Sequence, residues 1–180
     1  FDDNFNLNRD FVRTLCREII GRKLKIRWSC SARADLITED VAKVMKEAGC
    51  VEVKIGLESA NDDILNYLKK NTSLEDIKRG LQKLKEVGLN YSLQCIFGSP
   101  MENRKTIRNT IKFVKKYKPL FVSFNILTPL PGSKLFDELK DRIAFEQIKK
   151  FDIIHTEYPL GRYSVPQLRK ILKRAYISYY

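Results

Sequence analysis

The feature that most constrains the fold of this chain is the regular alternation of apolar strands and amphipathic helices, joined by links of two kinds. Helix-to-strand links are minimal, such as "AGC" at 48–50 and "VGL" at 87–89. Strand-to-helix links are longer and polar: they read "FDDNFN", "SARADLIT", "GLESAND", "FGSPMEN" and "TPLPGS". Repeated strand–helix–strand units favour a parallel sheet. Ligands bind at the carboxyl ends of strands in parallel α/β folds, so we expect the polar links to form the functional site.

Capping signals place the helices between these strands. Asn8 and Thr38 are candidate N-caps of the first two helices, and Asn61 of a short helix reaching Lys69. The sequence Thr72-Ser-Leu-Glu75 predicts a capping box at the start of the next helix. A final helix is predicted over 164–180, with its proline in the first turn.

Strand patterns indicate how much of a barrel the chain contains. The strand Val51–Ile55 is expected to end at Gly56, so that a carboxylate follows where the chain leaves the sheet. Counting Phe1 as the tip of another strand, the chain holds four whole strands and the end of a fifth. A complete eight-stranded barrel needs roughly 250 residues. The alternatives are therefore an open barrel, a doubly wound sheet or part of a larger domain.

Charge, apolar runs and cysteine spacing argue against an RNA-binding protein, a membrane-spanning protein and a zinc or disulfide protein. The net charge is +12, and residues 104–118 hold seven Lys and Arg and no acid. No RNA-binding module accompanies them, so a solvated basic helix face is favoured over an RNA surface. The apolar-rich run Leu120–Ser133 is too short to span a bilayer. The four cysteines contain no CxxC pair, which predicts buried, reduced thiols and a cytoplasmic protein.

Five segments carry a resemblance to a known family: "FDDNF", "WSCSARAD", "AGCVEVKIGLESAND", "GLNYSLQCIFGSPMEN" and "ILTPLPGSKLF". In this order they resemble the radical S-adenosylmethionine (SAM) enzymes, especially the cobalamin-dependent branch that includes anaerobic magnesium-protoporphyrin monomethyl ester cyclase. The resemblance implies an α/β fold, a partial parallel (β/α) barrel of the radical SAM type, truncated at its N-terminus. Residues 1–155 would form this barrel from the end of strand 2 onward, and residues 156–180 a C-terminal helical extension.

The same resemblance implies roles for individual residues. Glu58 would accept hydrogen bonds from the ribose of SAM, with Ser59 beside it and Gly56 leaving room for the ligand. The alternative is that Glu58 only stabilises the dipole of the helix that follows. Lys70 would meet the methionyl carboxylate, or be an ordinary solvated lysine. Gln94 would contact the ribose.

The loops after the third and fourth strands match the family with departures. The loop "FGSPMEN" keeps Gly98, Pro100 and Glu102 of a Gly-x-Pro-Gly-Glu-Thr pattern, while Met101 replaces the second glycine and Asn103 the threonine. Pro129 and Pro131 would fix the strand end near the adenine, or simply stiffen a loop. These implied cofactor-binding residues are Gly56, Glu58, Ser59, Lys70, Gln94, Gly98, Pro129 and Pro131.

Three further residues are expected to face the same cavity. Asp2 and Asp3 are candidates for acid–base chemistry or for binding of substrate or the methionyl ammonium, and capping of the following helix is the alternative. Arg33 is expected beside them. No residue of the chain is assigned as catalytic.

The family's cluster motif, CxxxCxxC, is missing from these residues. A [4Fe–4S] cluster needs three converging thiolates, so we expect its ligands upstream of Phe1 and interpret the chain as a fragment, inactive alone. The implied function is the SAM-binding part of an enzyme that generates a 5′-deoxyadenosyl radical for methyl transfer or cyclisation. Its cofactors would be SAM, the cluster and, in this branch, cobalamin. Its partners would be a small-molecule substrate and a reductant such as flavodoxin or ferredoxin. Two alternatives are an RNA-modifying methylthiotransferase-like enzyme and a non-catalytic scaffold.

Overall fold

The structure, a computed structural model, describes residues 4–149 and 158–180. Four strands form one parallel sheet in the order β1-β2-β3-β4. The strands are β1 Trp28–Ala32, β2 Cys50–Glu58, β3 Tyr91–Phe97 and β4 Phe121–Ile126. The helices are α1 Arg9–Gly21, α2 Glu39–Glu47, α3 Asp62–Tyr67, α4 Leu74–Val87, α5 Arg104–Tyr117, α6 Lys134–Leu139, α7 Phe145–Ile148 and α8 Val165–Tyr179. Short 3₁₀ turns occupy Ala34–Leu36 and Lys140–Arg142. The predicted α/β class is therefore confirmed.

Three local predictions needed correction or refinement. Strand β2 runs through Gly56 and ends on Glu58, because the buried Leu57 continues the inward apolar alternation of Val53 and Ile55. The capping box of α4 is made by Ser73 and Asp76, one residue later than predicted. At α3, Asn61 occupies the N-cap position without a capping hydrogen bond, since its Oδ1 accepts from the Asn109 side-chain amide at 2.9 Å instead.

The chain divides into two compact units. The first consists of Phe1–Leu57, Lys69–Gln94 and Tyr117–Val122; the second consists of Glu58–Leu68, Cys95–Lys116 and Ser123–Tyr180. In the first unit, α1 packs on α2 and α2 on α4. Its core includes Val41, Met45, Val53, Ile55 and Leu81, each at most 1% exposed.

The second unit is organised around an aromatic cluster. Phe97 of β3 and Phe124 of β4 stack with ring centroids 5.6 Å apart. Tyr176 of α8 packs edge-on against Phe124, and its hydroxyl accepts a hydrogen bond from the Phe124 amide at 3.0 Å. Helix α8 begins with a capping box made by Ser164 and Gln167, and has its proline in the first turn as predicted. The cluster therefore fixes α8 on β4. The predicted boundary at 155/156 lies outside the described residues.

No helix in the described stretches 4–149 and 158–180 has the length and apolarity needed to cross a membrane. This agrees with the short apolar run found in the sequence.

The contact between α4 and the 3₁₀ turn after β1 gives a stability prediction. A Cβ added to Gly80 would overlap the carbonyl oxygen of Ala34. Gly80→Ala should therefore destabilise the protein by about 1–3 kcal/mol, although alanine is the better helix former. Gly21→Ala is the matched control, because a Cβ there meets no atom within 4 Å. Urea unfolding should show a lowered midpoint for the first variant only, and equal midpoints would contradict the close packing.

Candidate functional site

One face of the sheet in the first unit is polar. Along β2, Val53, Ile55 and Leu57 are buried, whereas Lys54 and Gly56 between them are partly exposed. The parallel register aligns Ser29 and Ser31 of β1 with Glu52 and Lys54 of β2, and Ser92 of β3 donates a hydrogen bond to Glu52. This polar face consists of Ser29, Ser31, Glu52, Lys54, Gly56, Ser92 and Gln94. A strand packed on both faces would be apolar throughout, so this pattern indicates that no apolar layer covers this face of β1, β2 and β3.

Gly56 and Gln94 both belong to this polar face. Gln94 is exposed although Leu93 and Cys95 on either side of it are fully buried. Its amide therefore points away from the apolar core. This is the orientation that a ligand-contacting residue requires.

Glu58 ends β2 in an unusual backbone conformation. Its φ is +58°, in the left-handed region that non-glycine residues seldom adopt. Such a conformation costs on the order of 1–3 kcal/mol and is concentrated at functional sites. The side chain is partly exposed at the strand end. A partly exposed carboxylate with a strained backbone therefore stands at the carboxyl end of β2.

A buried network holds the chain immediately after Glu58. Ser59 is fully buried, and its hydroxyl lies 3.3 Å from that of Thr110 in α5. Thr110 also accepts a hydrogen bond from the Ala60 amide at 3.1 Å. The Asn61 amide donates to Ser59 at 3.0 Å and to the Thr106 carbonyl at 3.0 Å. Ser59 therefore fixes the strand end on α5, rather than reaching outward itself.

The loop 98–103 after β3 is closed by a buried carboxylate. Gly98 has φ +101°, and its amide donates to Oε2 of Glu102 at 2.5 Å. Glu102 is 0% exposed, and its Oε1 has no hydrogen-bond partner among the described residues. Burial raises the pKa of Glu102 to about 7, although the Gly98 amide opposes this shift. Glu102 is thus an internal acid that titrates near neutral pH.

The two departures from the family pattern fit this loop. Met101 is 50% exposed and is not among the residues with positive φ, so its backbone does not require glycine. Asn103 accepts hydrogen bonds from the amides of Lys105 and Thr106 at 2.9 and 3.2 Å. It therefore caps α5, as a threonine would at the same place.

Packing from the C-terminal segment supports the same loop. A Cβ on Gly98 would lie 3.3 Å from Leu168 of α8. A Cβ on Gly161 would lie 2.7 Å from the carbonyl oxygen of Ser99, so only glycine allows this approach without a shift. Loop 98–103 is thus held by the hydrogen bond to Glu102 and by packing of Gly161 and α8 against it.

The loop after β4 is a tight turn. Pro129 is buried and Pro131 is exposed. Gly132 has φ +86°, and the Ser133 amide donates to the Leu130 carbonyl at 3.0 Å, which closes the turn. Ser133 then caps α6 by accepting from the Phe136 amide at 3.1 Å. Proline and glycine at these two central positions are what such a turn requires.

Arg33 is engaged by its own loop in the first unit. Its guanidinium pairs with Asp35 at 3.0 Å and donates to the Asn71 carbonyl at 3.1 Å. Lys70, partly exposed, lies between Lys69 and Asn71, which have φ of +53° and +51°. Arg33 therefore secures the strained segment that carries Lys70. Asp2 and Asp3 lie outside the described residues.

The four cysteines are all buried thiols. Burial raises the pKa of Cys16 to about 11, and it raises the pKa of Cys95 well above its usual value. The charges of Glu58 and Glu102 add to the shift at Cys95, which places both carboxylates near this thiol of β3. Within the described part of the chain, no group of three Cys, His, Asp or Glu side chains is placed to hold a metal ion. These residues do not fit an iron–sulfur cluster.

Two features of the site went unnoticed in the sequence. The polar face includes Ser31, Lys54 and Ser92, which the alternation of polar and apolar residues along each strand would have revealed. The sequence identified Glu102 only as one residue of the loop pattern, because nothing in the sequence indicates that its carboxylate is buried.

The sheet is parallel and its strands alternate with helices, and proteins of this α/β class bind their ligands at the carboxyl ends of the strands. Residues 1–114 match the radical SAM superfamily. The chain belongs to this superfamily, which confirms the predicted family.

Curated relatives point to one branch of the superfamily. The chain is 33% identical over 181 residues to an uncharacterized methyltransferase of Pyrococcus horikoshii, covering 99% of the chain and 39% of that protein. It is 29% identical over 155 residues to the anaerobic magnesium-protoporphyrin IX monomethyl ester cyclase of Rubrivivax gelatinosus, covering 85% of the chain and 28% of that protein. The chain thus spans less than two fifths of the length of these relatives.

Solved structures share the fold. The radical S-adenosylmethionine methyltransferase TsrM of Kitasatospora setae, solved with cobalamin and a [4Fe-4S] cluster bound, matches with a TM-score of 0.64 at 23% identity, over 70% of this chain and 26% of that one. The coproporphyrinogen III oxidase HemN of Escherichia coli matches with a TM-score of 0.65 at 17% identity, over 96% of this chain and 37% of that one. The partial radical SAM barrel predicted from the sequence is therefore confirmed as the fold.

Proposed function

We propose that this chain is the SAM-binding part of a radical SAM enzyme of the cobalamin-dependent branch, acting by methyl transfer or cyclisation on a small molecule. The observation that carries the proposal is the strained backbone of Glu58, which leaves a partly exposed carboxylate at the carboxyl end of β2. Membership of the superfamily and the cyclase and methyltransferase relatives support it. The SAM ligand, when bound with a reduced cluster, supplies the 5′-deoxyadenosyl radical.

In this proposal the chain's own residues bind and orient the ligand. Glu58 accepts hydrogen bonds from the ribose hydroxyls, because a carboxylate can accept two donors at once. Gly56 presents backbone without a side chain, and Ser59 holds Glu58 in position through Thr110. Gln94 contacts the ribose from the polar face.

The remaining predicted site residues complete the proposed pocket. Gly98 provides the backbone of the loop after β3, and Pro129 and Pro131 stiffen the turn beside the adenine. Lys70 meets the methionyl carboxylate. Asp2, Asp3 and Arg33 face the cavity, with Arg33 also securing the segment that holds Lys70.

The cluster and the partners belong to the proposal for the whole protein. The thiols of this chain do not fit a cluster, so the proposal requires cluster ligands from outside residues 1–180. It also includes cobalamin, a reductant such as flavodoxin or ferredoxin and a cytoplasmic location. The division into a barrel of residues 1–155 and an extension of 156–180 is part of the same proposal.

The test is anaerobic cleavage of SAM by the full-length protein. After reconstitution with iron and sulfide and reduction with dithionite, chromatography should detect 5′-deoxyadenosine, formed only when SAM and reductant are both present. The 180-residue chain, treated in the same way, should bind no stoichiometric four-iron cluster and form no product. Absence of 5′-deoxyadenosine from a full-length protein that holds a cluster would favour the scaffold alternative. Accumulation of a thiomethylated nucleoside in cellular RNA only when the gene is intact would favour the RNA-modifying alternative.

A further inference from the structure

Helices α5 and α8 of the second unit enclose a groove that the proposed function does not use. Its volume is about 570 Å³, within the range of small-molecule sites, and none of the residues that line it belongs to the proposed SAM pocket. We call it the α5–α8 groove. Lys115 and Ser178, joined by a hydrogen bond of 3.0 Å, hold the two helices together near their C-terminal ends.

Four cations line the groove without any acid beside them. They are Arg104 and Arg108 of α5 and Lys170 and Arg174 of α8. Each pair is spaced by four residues, which puts both members on one face of their helix. None of the four forms an ion pair with another described residue. By contrast, Arg13 is paired with both Asp10 and Asp40.

A bound anion would relieve the repulsion among these four positive charges. Neither α5 nor α8 contains an Asp or Glu, so nothing on either helix offsets the repulsion between the cations. Three of the four are arginines. The planar guanidinium of arginine can donate two parallel hydrogen bonds to the oxygens of one phosphate. Several convergent cations favour a ligand with more than one negative charge.

The rest of the lining is mainly apolar and includes one aromatic ring; its one other polar residue, Gln167, accepts a hydrogen bond from the Ser164 amide at 2.8 Å. Ile107, Ile111 and Ile171 contribute aliphatic surface, and Tyr163 adds its ring. Recognition of RNA uses several stacking aromatic side chains along a strand, and a single ring serves only one base. The lining therefore fits a small molecule with both a charged and an apolar part.

We propose that the α5–α8 groove binds a phosphorylated small molecule of nucleotide size. Its phosphates lie between Arg104, Arg108, Lys170 and Arg174, and its ring system packs on Tyr163 and Ile171. The sulfonium of SAM is cationic, so this groove repels the ligand of the first site. The two sites are chemically distinct.

The test is binding of a fluorescent ADP carrying an N-methylanthraniloyl group to the full-length protein, measured by anisotropy. Saturating S-adenosylhomocysteine blocks the first site. We expect saturable binding that the double variant Arg108→Ala/Arg174→Ala weakens at least about tenfold, since each removes a charge-assisted hydrogen bond. The matched control is Lys112→Ala/Lys173→Ala, which removes two exposed cations of the same helices that do not line the groove. This control variant should change the affinity for the probe by less than about twofold, because salt screens exposed charges that lie away from the ligand.

Further outcomes decide the ligand class. Pyrophosphate should compete, but more weakly than ADP, because it lacks the part that packs on Tyr163. Equal competition by the two would overturn the nucleotide-size assignment. Absence of saturable binding up to millimolar probe, or equal weakening in both double variants, would overturn the site. A single-stranded RNA that binds a hundredfold tighter than ADP, with the same loss in the Arg108→Ala/Arg174→Ala variant, would replace the small molecule by RNA.

Discussion

Replacing Glu58 with alanine in the reconstituted full-length protein is expected to weaken SAM binding by roughly 10- to 150-fold. The carboxylate would accept hydrogen bonds from ribose hydroxyls, and charge-assisted hydrogen bonds contribute about 1.5–3 kcal/mol when truncated. That free energy converts to the stated range of dissociation constants. Anaerobic titration of wild type and variant measures the effect.

The backbone at Glu58 offers an unusually sharp control. Because its φ is +58°, Glu58→Gly should relieve strain and leave the protein as stable as wild type or more so. It should nevertheless lose affinity as the alanine variant does, which excludes unfolding as the cause. Glu58→Gln should keep part of the affinity, since an amide oxygen still accepts. If Glu58→Gly binds SAM like wild type, the carboxylate has no ligand role.

Glu102→Gln should change how stability depends on pH. The pKa of Glu102 is raised by burial from 4.5 to about 7 in the folded protein. The folded state therefore binds the proton more tightly, so its stabilising contribution is complete below pH 4.5 and disappears as pH rises through 7. The difference between the two values corresponds to about 3 kcal/mol. Glutamine stays neutral, so the variant should gain stability over wild type by about this amount between pH 4.5 and pH 8.5.

Chemical denaturation at these two pH values checks the prediction. The quantity to compare is the free energy of unfolding of Glu102→Gln minus that of wild type, because other groups titrate equally in both proteins. Glu47→Gln, at an exposed site on α2, is the matched control and should give no such difference. Parallel pH profiles for wild type and Glu102→Gln would show that Glu102 is not a buried acid with a raised pKa.

Much of the fold was accessible from the sequence because local signals agree with one another. Between Gly88 and Gly98, apolar residues alternate with mostly polar ones, which is the pattern of a strand, and β3 forms there at Tyr91–Phe97. Helix α1 begins after Asn8, whose side chain accepts from the Phe11 amide at 3.0 Å as predicted. The parallel sheet followed from the helix between successive strands, because a helical crossover returns the chain to the end of the sheet where the previous strand began.

The errors arose where tertiary contacts outweigh local preference. Gly56 was interpreted as the end of β2, yet the strand continues to Glu58 because Leu57 is buried in the core. The residues Thr72 and Glu75 had the pattern of a capping box, but the shift to Ser73 lets Asp76 close the box.

The candidate site was harder to predict than the fold. Resemblance indicated Glu58 and Gly98, but neither the positive φ of Glu58 nor the burial of Ser59 can be read from residue types. Burial of Glu102 depends on Gly98 and on packing from α8, which lies more than sixty positions further along the chain. Such long-range contacts have no signature in a local pattern.

The placement of α8 limits how this part of the protein can be rearranged in evolution. Loss of α8 would leave the Phe124 amide without Tyr176 and would uncover the stacked rings of β3 and β4. It would also remove Leu168 from its place beside Gly98 of loop 98–103. An exchange of sequence that replaces α8 is therefore expected to disturb β4 and loop 98–103 together.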